Sequence, residues 1–130
     1  MAYDRVVLKW DMNFVGELFS PTGIAKLGDQ DDGLYPYHLF FGALGSCFYA
    51  TFISIALKMR LEFESAKIEV TGSKDNPDSK TIELVEMKMT IKNPNDKEKL
   101  QKAAELGTKY CSIHELVSRS AKVNLIVEFE

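Results

Sequence analysis

A chain of 130 residues with 45% hydrophobic residues has the size of one domain and enough apolar side chains to bury a core. Its formal net charge of −3 leaves no basic surplus for phosphate groups, which argues against a nucleic-acid partner. The first residues, which include Asp4 and Arg5, lack the apolar segment of a secretory signal, so we expect a cytoplasmic protein. Cytoplasmic thiols stay reduced, so the two cysteines are expected to be reactive, metal-binding or buried rather than permanently linked.

Alternation of apolar and polar side chains predicts three short strands in the N-terminal quarter of the chain. The alternation begins at residues 5–11, and further strands are expected at 14–19 and 24–27. Ser20–Gly23 is a turn sequence between the last two, and an acidic loop follows at 28–33. These strands are predicted to form a meander.

A long apolar segment follows and predicts a central helix. Pro36 suits a first helical turn, and Leu39–Leu57 contains no charged side chain. A helix of this composition either spans a membrane or lies at the centre of a core, and the strand patterns on both sides favour a core. Gly42 and Gly45 indicate either close packing against another backbone or a break just before Cys47.

The next segment has the pattern of a hairpin. Alternation at 67–71 and again at 81–92 predicts two strands joined by a turn at Asn76–Asp78. The inward face of the second strand changes parity, which a bulge near Val85 and Glu86 would explain.

Two helices and a strand are expected to complete the chain. Asn95 with Glu98 resembles a capping box for a helix that ends at Cys111, and Ser112 with Glu115 repeats that pattern. A final alternating strand gives the order βββ-α-ββ-α-α-β without repeats, which predicts a single α+β domain.

Cys47 is the first candidate for chemistry. It is expected on or beside the start of a helical stretch, where free N–H groups and the helix dipole would favour a thiolate. Cys111 lies between two helices that must pack on the same small core, so the two thiols could meet as a reacting and a resolving thiol. Buried, inert cysteines are the alternative.

A metal site is the weaker interpretation of the same cysteines. Cys111 and His114 form a short Cys-x-x-His sequence that Cys47 and His38 could complete as a zinc site. Because no second closely spaced pair of ligands is present, we expect neither a metal nor another cofactor.

The sequence resembles the osmotically induced protein C and organic hydroperoxide resistance (OsmC/Ohr) family. The resemblance rests on the residues Pro36–Leu39 and Ala43–Cys47, on Lys109–Cys111 before a final strand, and on the order of elements along essentially the whole chain. It implies an intertwined homodimer in which sheets wrap around long central helices.

The resemblance also implies a thiol peroxidase. In the mechanism that it implies, Cys47 attacks an organic or lipid hydroperoxide and Cys111 captures the resulting sulfenic acid as a disulfide. An external dithiol then reduces the disulfide, and lipoylated proteins are the family's usual reductant. Phe40, Phe48, Tyr37 and His38 are the expected substrate-binding residues. The walls of an apolar pocket could come from Phe40, Phe41, Phe48, Tyr49 and Phe52, and each of these five rings could instead be plain core. No nucleic acid and no membrane are expected as partners.

The sequence departs from the family pattern around the thiolate. In the family's peroxidases an arginine from the first strand or hairpin holds the thiolate, and a glutamate after the helix-opening proline orients it. Here Tyr37 occupies the glutamate position, with His38 beside it, and the hairpin after Arg5 offers only Lys9. The alternative function is therefore a dimeric ligand-binding or redox-sensing protein with little peroxidase activity. Lys9, Arg60, Arg119 and His38 are the candidate replacement cations.

Overall fold

The structure is a computed structural model that describes residues 3–130 of the chain. It has an α+β fold in which the predicted order of elements is confirmed. The strands and helices are β1 (Val7–Trp10), β2 (Val15–Phe19), β3 (Ile24–Gly28), α1 (Pro36–Lys58), β4 (Ser65–Ser73), β5 (Leu84–Lys92), α2 (Lys97–Tyr110), α3 (Ser112–Ser118) and β6 (Lys122–Phe129).

The chain divides into two compact units, one that ends at Phe40 and one from Phe41 to Glu130. In the first unit, β1, β2 and β3 form an antiparallel meander, as predicted. The turn between β2 and β3 is closed by Ser20, whose hydroxyl oxygen accepts a hydrogen bond from the N–H of Gly23 at 3.0 Å. That the two units act as a single domain stays a prediction.

The second unit is a three-stranded sheet covered by helices. β4 and β5 form the predicted antiparallel hairpin, and β6 pairs in parallel with β5 after the connection through α2 and α3. The core consists of one stripe of α1 and the inward residues of β5 and α2. Its members include Leu44, Phe48, Phe52, Ala56, Val85, Met87, Met89, Ile91, Leu100, Ala103 and Ala104.

Helix α1 is continuous, so the predicted break before Cys47 is wrong. The alternative explanation, close packing against another backbone, is also wrong: an added Cβ at Gly45 would lie 3.3 Å from a side-chain methyl group of Val70, and one at Gly42 would meet nothing within 4 Å. By length and apolar composition α1 could span a membrane. The residues that recur every fourth position from Leu44 to Ala56 are buried in the core.

The predicted bulge in β5 is also wrong. From Leu84 to Lys92 the strand pairs with β4 in an unbroken register. Val85 already faces the core together with Met87, so the inward parity does not change within the strand. Ile82 and Leu84 suggested the other parity, but Ile82 precedes the strand and Leu84, its first residue, is only partly buried.

The first predicted helix cap is displaced by one residue. The N-cap of α2 is Asp96, whose carboxylate accepts a hydrogen bond from the N–H of Lys99 at 3.0 Å. The side chain of Asn95 instead accepts the N–H of Glu62 at 3.0 Å. A one-residue shift brings the carboxylate, rather than the amide, within reach of the free N–H groups.

Candidate functional site

The two cysteines meet in the second unit. Cys47 lies well inside α1 and is half-buried, whereas Cys111 joins α2 to α3 and is only 1% exposed. Their sulfur atoms are 3.1 Å apart, and the Cys111 thiol donates to the sulfur of Cys47. The structure therefore brings together the two residues that the sequence proposes as a pair.

Cys111 is also the N-cap of α3. Its sulfur accepts the N–H of His114 at 3.3 Å, and its carbonyl accepts the N–H of Glu115 at 3.0 Å. The expectation that Ser112 caps this helix is therefore wrong, because Ser112 is already the first helical residue. The first N–H groups of a helix lack partners within it, so those of Ser112 and Ile113 are available to other acceptors.

The sulfur of Cys47 accepts hydrogen bonds from these groups, and the pKa of Cys47 is lowered. Burial by itself raises the pKa of this thiol, but several hydrogen bonds to the sulfur outweigh burial. The donors are the Cys111 thiol, the backbone N–H of Ile113, and both the hydroxyl and the N–H of Ser112. Cys47 is therefore the cysteine that ionises more readily.

The pKa of Cys111 moves in the opposite direction. Burial raises it most, and the hydrogen bond to Cys47 and the negative charge of that residue raise it further. The N–H groups of His114 and Ile113 oppose this rise without cancelling it. The arrangement can thus hold one thiolate at Cys47 beside one protonated thiol at Cys111.

The donors to Cys47 differ from those expected from the sequence. The start of its own helix, at Pro36, is remote from it, and the contributing N–H groups belong to α3. Sequence reasoning missed Ser112 and Ile113 as site residues. Their signal was the helix start directly after Cys111, since a helix that begins there must present free N–H groups beside the thiol.

The other predicted site residues are distributed between the two units. In the first unit, the ring of His38 accepts the N–H of Tyr35 through Nδ1 at 3.0 Å, at the start of α1. Tyr37 and Phe40 contact each other edge to face, with ring centroids 5.9 Å apart. In the second unit, Phe48 is fully buried in the core.

The candidate cations have other partners or lie elsewhere. Arg119 forms an ion pair with Glu115 at 3.5 Å, and Lys9 lies over the ring of Phe19, 5.4 Å from its centroid. Arg60 follows the end of α1, and the part of the helix between Cys47 and that end is about 16 Å long at 1.5 Å per residue. The groups that lower the pKa of Cys47 are all neutral donors.

In the short Cys-x-x-His sequence, the histidine contacts the cysteine through its backbone N–H and not through its imidazole ring. His114 contacts the sulfur of Cys111 through its N–H group. Burial lowers the pKa of the His114 ring, although nearby Glu115 opposes this effect. Among residues 3–130, no group of three or more possible metal ligands comes together.

An apolar groove of about 430 Å³ lies between α1 and the edge strand β4. It is lined by Phe41, Gly42, Gly45, Ser46, Tyr49, Ala66, Ile68 and Val70. At 100° of rotation per helical residue, the α1 residues of this groove lie on the side of the helix roughly opposite to Cys47. The groove therefore does not lead to the sulfur of Cys47.

The fold of this chain occurs in known proteins. A hypothetical protein from Aquifex aeolicus VF5 is 27% identical, with 100% of this chain and 99% of that chain covered and a TM-score of 0.83. An OsmC-like protein from Mycoplasma pneumoniae is 18% identical over 98% and 97% of the two chains, with a TM-score of 0.85. The organic hydroperoxide resistance protein OhrB of Bacillus subtilis is 18% identical over 98% of both chains, with a TM-score of 0.71.

No curated protein sequence matches the chain significantly. The family model for OsmC-like proteins, however, matches residues 28–126, which include both cysteines and every element from α1 to β5 as well as α2 and α3. That match covers most of the chain and agrees with the resemblance in the cysteine segments. The chain therefore belongs to the family of OsmC-like proteins.

Proposed function

We propose that this chain is a thiol peroxidase that reduces organic or lipid hydroperoxides through Cys47 and Cys111. The observation that supports it most directly is the 3.1 Å separation of two sulfur atoms whose pKa values are shifted in opposite directions. Fold similarity to a protein named for organic hydroperoxide resistance is consistent with this substrate class.

In the proposed reaction, the Cys47 thiolate attacks one oxygen of the hydroperoxide. A sulfur–oxygen bond forms, the oxygen–oxygen bond breaks, and the leaving alkoxide takes up a proton to become the alcohol. Cys111 then attacks the sulfur of the Cys47 sulfenic acid, and the hydroxyl group leaves as water. The hydroperoxide is thus reduced by two electrons, and the two thiols are oxidised to a disulfide.

The second step requires little movement. A disulfide bond is about 2.05 Å long, so the sulfur atoms must close by about 1 Å from their present separation of 3.1 Å. Rapid capture protects the sulfenic acid from irreversible oxidation to the sulfinic state. The geometry therefore suits an enzyme that meets its oxidant repeatedly.

The physiological partners belong to this proposal. An external dithiol, of which a lipoylated protein is the family's usual example, would reduce the disulfide, and the cytoplasm would keep the pair reduced between turnovers. Tyr37, Phe40, His38 and Phe48 remain proposed substrate-binding residues. Of these, Phe48 could act only by supporting other side chains, since it is fully buried.

A homodimer is the proposed assembly. Large apolar side chains are exposed in each unit, among them Ile24 at 66% and Leu57 at 65%. Clusters of exposed apolar surface commonly mark a protein interface. Analytical ultracentrifugation is expected to give a dimer at micromolar concentration, and a folded monomer would contradict this assembly.

A dimeric ligand-binding or redox-sensing protein is the second candidate function. Two observations favour it: the donors to Cys47 carry no positive charge, and the apolar groove lies away from that sulfur. Such a protein would form the same disulfide but would turn over slowly.

One experiment separates the two candidates. One equivalent of cumene hydroperoxide should convert the free thiols into a Cys47–Cys111 disulfide, and the Cys111→Ser variant should accumulate a sulfenic acid on Cys47. Stopped-flow rates for cumene hydroperoxide and hydrogen peroxide then distinguish a peroxidase, which prefers the organic substrate, from a slow sensor. Oxidation of Cys111 while Cys47 stays unmodified would overturn the assigned roles.

A further inference from the structure

The two cysteines of the pair differ in their exposure to solvent. Cys111 is 1% exposed, whereas Cys47 is half-buried. The Cys111 sulfur is enclosed between the end of α2 and the start of α3, where it contacts Cys47 and the N–H of His114. After disulfide formation, an outside molecule could therefore reach the pair only through the sulfur of Cys47.

We propose that the external dithiol that resets the pair attacks the sulfur of Cys47 and not that of Cys111. This inference rests on the proposed function, because it concerns the reductive half of the same cycle. It assigns to Cys47 both the reaction with the oxidant and the reaction with the reductant, so the two substrates use one entrance in turn.

The chemistry balances in two exchange steps. A thiolate of the dithiol attacks Cys47, a mixed disulfide forms, and the Cys47–Cys111 bond breaks with Cys111 as the leaving thiolate. The second thiol of the reductant then attacks its own sulfur in the mixed disulfide, and Cys47 leaves as a thiolate. The reductant becomes a disulfide, and both cysteines are reduced by the two electrons that it loses.

The direction of attack follows from the bond that breaks. A sulfur nucleophile approaches along the extension of the disulfide axis, on the side of the attacked sulfur away from the leaving one. Cys111 occupies one side of Cys47, so the dithiol must arrive from the other side. The departing Cys111 thiolate would keep its contacts with the N–H groups of His114 and Ile113.

Leaving-group chemistry alone would favour the opposite site of attack. The pKa of Cys47 is lowered and that of Cys111 is raised, so Cys47 is the better leaving thiolate. With a Brønsted coefficient near 0.5, the rate of exchange changes only about threefold for each unit of difference between the pKa values of the two leaving thiols. Cys111 is only 1% exposed, so we expect access to outweigh this preference.

The test starts from protein oxidised with diamide and does not depend on hydroperoxide turnover. The disulfide is treated briefly with excess glutathione as the probe thiol, quenched with acid, alkylated and digested with trypsin. The two cysteines fall on separate peptides, 27–58 and 110–119. We expect glutathione on Cys47 and the alkyl group on Cys111 in at least nine of ten mixed disulfides, by the access argument.

A second measurement does not depend on trapping an intermediate. An aromatic disulfide reagent is used to label Cys47 in the Cys111→Ser variant and Cys111 in the Cys47→Ser variant. After each rate is corrected for the fraction of thiolate, Cys47 should react at least tenfold faster than Cys111. In urea the two rates should become equal. Glutathione found mainly on Cys111, or equal corrected rates in the folded variants, would overturn the inference. If hydroperoxide gives no disulfide but diamide does, the proposed function fails and this inference survives.

Discussion

Replacement of Ser112 by proline should slow the reaction of Cys47 with electrophiles at neutral pH, because two donors to its thiolate are removed together. Proline lacks both the hydroxyl and the backbone N–H that contact Cys47. It should not disturb α3, since Ser112 is the first residue of that helix, a position that proline favours. Cys111 already has the extended backbone, with φ −79° and ψ 117°, that a residue before proline requires.

The size of the effect follows from the number of donors lost. Ser112 is exposed, so each of its hydrogen bonds to Cys47 is expected to contribute about 1 kcal/mol, the middle of the usual range. Ser112→Ala removes the hydroxyl alone and should reduce the thiolate fraction about fivefold at a pH below the pKa. Ser112→Pro removes about 2 kcal/mol, which corresponds to roughly thirtyfold.

The assay is the ultraviolet absorbance of the thiolate as a function of pH, measured in a Cys111→Ser background so that one thiol titrates. The midpoint should rise from the parent to Ser112→Ala and again to Ser112→Pro, while reactivity at high pH is retained. Ser118→Ala is the matched control, because its hydroxyl donates to the carbonyl of Glu115 at 2.9 Å. An unchanged midpoint in Ser112→Pro, or an equal loss of rate at every pH, would refute the reasoning.

Three further predictions concern stability. His38→Ala should lower the free energy of unfolding by about 1 kcal/mol because the N–H of Tyr35 loses its acceptor, while His38→Gln should restore most of it in urea titrations. Gly107→Ala should cost about 1–3 kcal/mol, since the added Cβ would lie 3.1 Å from the ring of Phe48, and a raised melting temperature would contradict this. Burial lowers the pKa of His114, so the unfolded state binds more protons than the folded state. The free energy of unfolding should therefore fall as the pH drops below the usual pKa of histidine. In urea titrations, His114→Gln should flatten this pH dependence.

The order of elements could be predicted because strand and helix periodicities are local properties. Each strand of the first unit was placed to within a residue or two. The bulge near Val85 was wrong because the apparent change of parity falls at the start of β5: Ile82 precedes the strand, and Leu84 is its first and only partly buried residue. The caps at Asn95 and Ser112 were each displaced by one residue, since several polar residues in a row can cap a helix and only the backbone decides between them.

The proximity of the two cysteines could be predicted from the sequence, whereas their role as a functional site stays a prediction. Cys47 and Cys111 were identified from their helical settings and from the family resemblance, and they do meet. The source of thiolate stabilisation was not identified, because Ser112 and Ile113 act through groups that only the position of α3 directs toward Cys47. His38 was interpreted as a site residue, whereas its visible contact is with the backbone at the start of α1.

The separation of the two cysteines along the chain links the reactivity of the thiol to folding. Cys47 and Cys111 are 64 positions apart, and the donors to Cys47 follow Cys111. In an unfolded or partly synthesised chain Cys47 therefore has none of these partners and behaves as an ordinary thiol. Its activation requires α1, α2 and α3 to be assembled, which includes closure of a long loop. Under the proposed function, the rate at which Cys47 gains reactivity would report the completion of folding.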